Sequence, residues 1–446
     1  MRLDKAHRFS WVLIFVSVFW TLCVAAQPSR AADEASAKET LTEELPPGEV
    51  DVSESLKDKW LFIADFDAFF TISDPKNGDT VEGGNVNGLF APVYMFNDST
   101  FFIMMYDGHY YKKLEFYSDD IGGREREQFQ SHTIQPMVRF DFGEKSRYSI
   151  TPSVFHTATY NRDNDTSGWS DGLYNYRDYG AGIDFDMRAA FGDDGTLSFG
   201  MQYYSREYPN YASLLSITGL DLNGQQNVEK NEKDYHGIIT KAGYSWIKPF
   251  GLSWEAEYSM LYKSLDDKKI VDSNGVLTSD EQEDYLHSLD VNLSYMFDVD
   301  GGLKLGLDLN GTINDSNQNY WNEQIVGLFS SQKYTNDYYD YFSYRIRPSI
   351  SYTFALYPLT PSISYSYYKI RYDERRAEHA NGDYKKDRQY EYEQNLALGL
   401  KYELTDNWSI LGEWEQVMRR SNNDDESTYE YEYTINYFTL GVAFKY

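Results

Sequence analysis

The sequence is poor in cysteine and in positive charge. Its single cysteine, Cys23, lies in an N-terminal apolar segment, so the chain after that segment has no disulfide and no cysteine-based metal site. Lys and Arg number 41 against 70 Asp and Glu, and the formal net charge is -29. Nucleic-acid binding requires a basic surface, so this composition excludes nucleic acid as a partner.

Apolar runs long enough for a membrane helix are also missing beyond the N-terminus, and the mean hydropathy is -0.62. The chain is rich instead in aromatic residues, with 41 Tyr, 26 Phe and 9 Trp among 446 residues. Aromatic side chains favour strand faces and membrane interfaces. A membrane protein built from strands has such a composition, because only half of each strand is apolar.

Residues 1–26 predict a secretory signal peptide. Arg2, Lys5 and Arg8 precede an apolar run, from Trp11 to Ala26, that is short for a bilayer span. Small residues allow cleavage after Ala26 or after Ala31. Residues 27–57 are acidic, contain a Pro-Pro pair and lack apolar periodicity, so they predict a disordered periplasmic lead-in.

From residue 58 onward, short runs alternate between apolar and polar side chains. In 301–314, GGLKLGLDLNGTIN, one set of alternate positions holds Leu303, Leu305, Leu307, Leu309 and Ile313, and the other holds Lys304, Asp308, Asn310, Thr312 and Asn314. A period of two predicts a strand whose two faces meet different environments.

The connections between these runs are alternately short and long. Tight turns fall near residues 143, 193, 249, 299, 359 and 406, and long polar loops span 118–126, 161–172, 208–232, 267–282, 316–335, 373–387 and 420–428. Short periplasmic turns and long outer loops are typical of outer-membrane barrels. The runs predict about 16 strands, within a range of about 14 to 18, and the segment before residue 100 forms either two strands or an inward plug.

The last eight residues, TLGVAFKY, contain a more specific motif. Thr439, Gly441, Phe444 and Tyr446 are spaced as in the C-terminal strand signal of bacterial outer-membrane β-barrel proteins, and residues 58–446 resemble this family. The resemblance implies an all-β, transmembrane, antiparallel up-and-down barrel, exported to a Gram-negative outer membrane. It also implies contact with outer-membrane lipids and lipopolysaccharide, and recognition by the barrel assembly machinery through Gly441, Phe444 and Tyr446.

The polar row of each strand then faces the lumen and carries both signs of charge. Unpaired charges in a dry interior are costly, so such a lumen is either hydrated and selective or closed by pairing across strands. The candidate lumen residues are Arg139, Asp141, Asp184, Asp186, Arg188, Glu255, Glu257, Asp290, Lys304, Asp308, Arg345, Arg347, Glu391, Glu393, Lys401, Glu413 and Glu415. Arg345 and Arg347 suit a carboxylate or sulfate of a passing solute, or a pairing with Glu391 and Glu393.

Catalysis is not indicated by any motif. The sequence has no GxSxG, HExxH or glycine-rich nucleotide motif, and adjacent His287 and Ser288 point to opposite faces of a strand. The loop DSNGVLTSDEQE matches part of an EF-hand through Asp272, Asn274 and Glu281, yet its first ligand position is apolar and strands flank it. No cofactor is expected, and calcium at this loop is a weak alternative.

The predicted function is passive diffusion of small hydrophilic solutes through a porin-like channel. A modest cation preference is expected, because the excess acidic charge lies mainly in loops and lead-in rather than in the lumen. Two alternatives stay open: a dedicated conduit for saccharide import or polysaccharide export, and a non-conducting structural or adhesive barrel. The oligomeric state is left open by the sequence.

Overall fold

The computed structural model describes residues 59–76, 78–114, 126–162, 168–190, 195–211, 232–247, 251–297, 299–326, 329–425 and 432–446. The predicted signal peptide, the acidic lead-in and parts of the predicted loops 118–126, 161–172, 208–232 and 420–428 lie outside these residues. Everything below concerns the described residues.

Most of the described chain is extended. The strands are β1 (Trp60–Pro75), β2 (Val81–Asn97), β3 (Thr100–Leu114), β4 (Arg126–Phe142), β5 (Tyr148–Arg162), β6 (Tyr176–Ala190), β7 (Gly195–Glu207), β8 (Tyr235–Ile247), β9 (Leu252–Val271), β10 (Leu277–Phe297), β11 (Leu303–Ser316), β12 (Tyr320–Val326), β13 (Phe329–Thr335), β14 (Tyr341–Tyr352), β15 (Leu359–Glu378), β16 (Tyr384–Glu403), β17 (Trp408–Ser421) and β18 (Tyr433–Lys445). Two short 3-10 helices span Glu144–Ser146 and Trp169–Asp171. Within the described ranges, no helix has the length and hydropathy needed to cross a bilayer.

All strands except β12 and β13 form one closed antiparallel barrel. Successive strands pair with each other, β11 pairs with β14, and β1 pairs with β18 from Asp65–Lys445 to Pro75–Ile435. The predicted antiparallel up-and-down barrel of 16 strands is confirmed. The alternative of a plug before residue 100 is wrong, because β1 and β2 belong to the wall.

The two ends of the barrel differ in their connections. The turn end carries the connections β2–β3, β4–β5, β6–β7, β8–β9, β10–β11, β14–β15 and β16–β17, the start of β1 and the end of β18. The loop end carries the short connection β1–β2 and the connections β3–β4, β5–β6, β7–β8, β9–β10, β11–β14, β15–β16 and β17–β18. Three predicted loops contain more strand than expected. Hairpins β9–β10 and β15–β16 extend through most of 267–282 and 373–387, and β12–β13 forms a separate hairpin within 316–335. These hairpins do not need alternating apolar residues, because pairing between the strands satisfies the main-chain N–H and C=O groups.

The two faces of the wall differ in crowding. Most strand side chains that are buried occupy the same alternate positions as the charges; among them are Ser149, Glu391, Val417, Ile435 and Tyr437. Most large apolar side chains that stay exposed occupy the other positions; among them are Phe66, Phe70, Val154, Leu289, Leu305 and Ile313. The inside of a closed barrel is concave and crowds its side chains. The charged face is therefore the interior, as the alternation predicts.

Candidate functional site: the inner wall

The inner wall consists of rows of directly opposed residues that run across neighbouring strands. One row holds Asp141, Ser149, Asp186, Ser198, Gly243, Glu257, Asp290, Asn310, Arg345, Tyr368, Glu393 and Arg419. The charges in this row are acidic from β4 to β10, and the two arginines lie on β14 and β17. On β16, Glu393 stands between these two arginines, so the row is acidic on β4–β10 and mixed in sign on β14–β17.

The rows shift from the turn end toward the loop end as they pass around the barrel, because neighbouring strands are staggered. Phe142, at the turn end of β4, shares a row with Met418 and Thr434 near the loop end of β17 and β18. A full circuit displaces the row by about 20 residues, which corresponds to a strand tilt of about 40° and a backbone radius of about 16 Å. A wall of this radius is wide enough to enclose water.

One part of the interior, on β9–β14, is open. We call Glu255, Asp290, Lys304, Asp308, Arg345 and Arg347 the open inner wall. Glu255, Lys304 and both arginines are exposed. Asp308 is directly opposite Arg347, and Asp290 accepts a 2.7 Å hydrogen bond from the Asn310 amide. Charged side chains in such positions interact with water.

The pairing of Arg345 and Arg347 differs from the prediction. Glu391, expected as their partner, accepts instead from Arg419 on β17 and from the Gln389 amide. The prediction is wrong for Glu391 because β15 separates β14 from β16. Arg345 lies over the ring of Tyr368, with Cζ 5.4 Å from the ring centroid.

Many of the other candidate residues have a nearby polar partner. The pairs are Arg139–Asp141 (2.7 Å), Ser149–Asp186 (3.0 Å), Lys241–Glu257 (3.5 Å), Lys401–Glu403 (2.9 Å) and Asn395–Glu415. Asp184, Arg188, Glu393 and Glu413 lie on the same inner face. The structure therefore brings all candidate lumen residues to one surface, in several local groups rather than at a single point.

A second part of the interior, near the loop end of β6–β9, is closed. We call Asp178, Arg206, Tyr204, Tyr235 and Leu265 the closed inner cluster. Arg206 Nε and Nη2 donate to the two carboxylate oxygens of Asp178, each at 2.7 Å, and Tyr204, Tyr235 and Leu265 are buried together. The sequence pattern places Arg206 on the inner row, but it does not identify Asp178 as its partner, since that depends on the β6–β7 register.

The C-terminal residues close the barrel. A Cβ at Gly441 would overlap the ring of Phe69 on β1, so this position requires glycine. Phe444 faces outward, 4.8 Å from Trp408 between ring centroids, and Tyr446 exchanges two main-chain hydrogen bonds of 2.8 and 3.0 Å with β1. These contacts explain why glycine and the backbone are needed here, but they do not test recognition by an assembly machinery.

The EF-hand-like residues do not converge. Asp272 Oδ1 accepts the main-chain N–H groups of Asn274 and Val276, both at 2.9 Å, and so shapes the turn. Glu281 lies on β10 and pairs with Lys269 at 2.7 Å. No group of three or more His, Cys, Asp or Glu side chains in the described ranges is arranged to hold a metal ion.

No protein-family model and no curated protein matches the chain. Solved structures do match. The chain is similar to OmpT, an outer membrane protein of Vibrio cholerae, at 11% identity and a TM-score of 0.42, covering 87% of this chain and 100% of that one. It is similar to OpdK from Pseudomonas aeruginosa at 10% identity and a TM-score of 0.41, covering 86% and 99%. A bacterial polysaccharide outer membrane secretin shows 9% identity and a TM-score of 0.41, covering 86% and 98%.

Proposed function

We propose that this protein is an outer-membrane channel for passive diffusion of small hydrophilic solutes. The open inner wall carries the proposal, because exposed side chains of both signs line the inside of a closed barrel. Sixteen strands give a wall wide enough for an aqueous channel, whereas about eight strands fill their own interior. The solute passes unchanged, guided by charge and size, and no catalytic group is required.

The outward face supports a membrane location. Its exposed large side chains are apolar or aromatic along most strands, and Leu289, Leu293 and Leu305 continue this surface on β10 and β11. Such a band faces lipid in outer-membrane barrels. Cleavage of residues 1–26, an acidic periplasmic lead-in at 27–57, and contact with outer-membrane lipids and lipopolysaccharide are parts of this proposal.

A modest cation preference is proposed from the acidic loop end. Asp315, Asp337 and Asp373 surround Asp340, and burial together with these carboxylates raises the pKa of Asp340 to about 6. Acidic groups at a channel mouth concentrate cations within a screening distance of about 8 Å at physiological salt. The preference should therefore fade as the salt concentration rises.

A saccharide conduit is the second candidate function, and one feature favours it. Tyr341, Tyr368 and Tyr372 lie on the inner face of β14 and β15, and the ring of Tyr368 lies under Arg345. Aromatic rings next to a cation suit the faces of sugar rings and their acidic substituents.

Single-channel recording of the purified, refolded protein tests these functions. Stable conductance with a reversal potential that favours cations in dilute salt supports the channel. Block by one saccharide at low concentration supports the conduit. Folded protein that does not conduct would contradict both and support a structural or adhesive barrel.

We propose in addition that Phe444 and Tyr446 are read by the barrel assembly machinery. Phe444→Ala with Tyr446→Ala keeps the main-chain hydrogen bonds of the closing strand, so a loss of protein from the outer membrane would reflect recognition rather than pairing. Lys445→Ala, between them, is the control. Equal outer-membrane levels of all variants would contradict the proposal.

A further inference from the structure

Three cations lie close together on the outward face of β15–β17. Lys369 on β15, Arg371 on β15 and Arg420 on β17 occupy outward positions, on the same face as the exposed apolar side chains Ile363 and Leu398. They follow the apolar residues of the same strands toward the loop end. Arg371 is exposed, and Lys369 and Arg420 are half-buried.

Tyrosines separate the cations. Tyr344, Lys369, Tyr392 and Arg420 are directly opposed along one row on β14–β17, and Arg371 is opposite Tyr390 on the next row. Lys369 Nζ lies 4.9 Å from the ring centroid of Tyr390. Lys369 and Arg420 are two strands apart, about 10 Å. We call these six residues the basic outer patch.

The cations of the patch form no salt bridge with the described carboxylates. Among the described residues, none of Lys369, Arg371 and Arg420 has an Asp or Glu oxygen within salt-bridge distance, and the nearby Arg388 binds Glu374 at 2.8 Å. Arg420 Nη1 donates to the main-chain oxygens of Arg419 and Tyr433, which fixes its guanidinium and leaves its other donors available.

The other half of the outward face has a different chemistry. Beyond the apolar residues of β3–β10 it carries contacting Tyr–His pairs: Tyr106–His132 (2.9 Å), Tyr203–His236 (2.9 Å) and Tyr258–His287 (2.8 Å) by hydrogen bond, and His156–Tyr179 by ring stacking. In the first three pairs the phenol and imidazole groups satisfy each other, and His156 Nδ1 donates to the main-chain oxygen of Asp178 at 3.0 Å. Lys112, Arg162 and Arg177 also stand at outward positions on this half, with Glu207 opposite Arg177. The cations on β15 and β17 differ from them in having tyrosines opposite.

We propose that the basic outer patch binds the phosphorylated sugar headgroup of a glycolipid in the outer leaflet. The cations bind phosphate oxygens through charge-assisted hydrogen bonds, and Tyr344 and Tyr392 pack against the sugar rings. Charge complementarity favours this occupant, because phosphates are the concentrated anions at this level of such a leaflet. The proposal rests on the outer-membrane location proposed above.

Lipid retention by the purified protein tests the patch. The triple variant Lys369→Gln, Arg371→Gln, Arg420→Gln is compared with wild type and with the matched inner-wall variant Lys304→Gln, Arg345→Gln, Arg347→Gln. Each protein is refolded in detergent without divalent cations and titrated with bisphosphorylated lipid A and with its dephosphorylated form, with bound lipid counted by native mass spectrometry.

We expect the patch variant to bind the phosphorylated lipid about tenfold or more weakly, because two or three charge-assisted contacts are lost. The inner-wall variant should bind like wild type, and the dephosphorylated lipid should bind weakly to all three. Equal binding of phosphorylated lipid by the patch variant and wild type would overturn the proposal. So would a change in oligomeric state without a change in lipid binding, which would mark a contact between copies of the chain.

Conductance measurements distinguish the lipid-binding proposal from the proposed channel function. Wild-type protein that conducts but does not distinguish the two lipids refutes the patch alone. Protein that binds phosphorylated lipid through the patch but never conducts refutes the channel alone. Heat-modifiable migration on gels confirms that each variant is folded before it is scored.

Discussion

The closed inner cluster and the open inner wall place the same residue type in opposite environments. Arg206 is held by both oxygens of Asp178 among buried tyrosines, whereas Arg345 and Arg347 are exposed and have no carboxylate at salt-bridge distance among the described residues. Both sites lie on the inner face of one barrel. Neighbouring side chains, rather than inward orientation alone, thus decide whether a charge holds the wall together or acts on a solute.

The largest expected effect follows from breaking the closed inner cluster. Arg206→Met leaves the Asp178 carboxylate buried without its partner and should reduce the free energy of unfolding by about 3–5 kcal/mol. Arg345→Met, a matched change on the open inner wall, should stay within about 0.5 kcal/mol of wild type. Urea titration of refolding into lipid vesicles measures both.

Removing both charges of the pair sharpens this test. Arg206→Met with Asp178→Leu should be less destabilising than the single Arg206 change, because no unpaired charge remains. If Arg206→Met costs as little as Arg345→Met, the cluster is hydrated and the distinction between the two regions fails.

A second contrast extends the comparison from the inner to the outer face of β11. Leu307→Arg places a charge among apolar outward side chains and should cost about 2–4 kcal/mol near the bilayer midplane. Asp308→Arg, one residue on, adds a cation to the open inner wall and should refold normally with altered ion selectivity. The same refolding titration distinguishes them, and a reversed order would mean that the face assignment is off by one residue.

Charge reversal on the open inner wall should change selectivity with little loss of stability. Arg345→Glu with Arg347→Glu reverses two of the three basic residues of the open inner wall, so reversal potentials in a salt gradient should shift toward cations. The control, Lys369→Glu with Arg371→Glu, makes the same change of charge on the outward face and should leave selectivity unchanged. Equal shifts in both variants would show that the overall charge of the barrel, and not its inner wall, sets selectivity.

The smallest expected effect concerns pH at the loop end. Asp340 Oδ1 accepts the Ser316 main-chain N–H at 2.7 Å, and burial with three nearby carboxylates raises the pKa of Asp340 from 3.8 to about 6. Since the folded pKa is raised, ionisation opposes the folded loop, and the stability of this contact falls as pH rises from about 4 to 6 and is constant above that range.

Asp340→Asn keeps an acceptor for Ser316 but removes the titrating charge. Hydrogen exchange around residue 316, corrected for the intrinsic rate, should slow in the variant relative to wild type at pH 8 and differ little at pH 4. Asp383→Asn, in the β15–β16 turn, is the control. A pH dependence that survives Asp340→Asn would assign the effect to another carboxylate.

Much of the fold was predictable from the sequence because period-two alternation is a local property. One stretch of chain holds the alternation of β1, with Trp60, Phe62, Phe66 and Phe70 on one face and Asp65 and Asp67 on the other, and the pairing of β1 with β18 and β2 places it in the wall. The number of strands follows from counting such stretches. Hairpin extension was missed because polar strands beyond the apolar band carry no alternation.

Partners within the candidate site were not predictable in the same way. Alternation places Glu391 on the inner face, but its pairing with Arg419 rather than with β14 depends on strand order and on the stagger between β16 and β17. The bidentate contact of Arg206 with Asp178 likewise depends on a register that no single stretch contains. The sequence contains only part of this information: in each pair, the two residues occupy inward positions on neighbouring strands.

The seam between β1 and β18 has a consequence for the order of folding. Almost every other strand pair in the barrel joins neighbours in sequence, but at the seam Thr71 meets Thr439 across 368 residues. Hairpins can form while most of the chain is still unstructured, since their loop-closure entropy is small, whereas the seam joins ends that only a nearly finished sheet brings together. Closure is therefore a late step, and until it occurs both edge strands expose unpaired main-chain groups, which makes the unclosed sheet the aggregation-prone state of this protein.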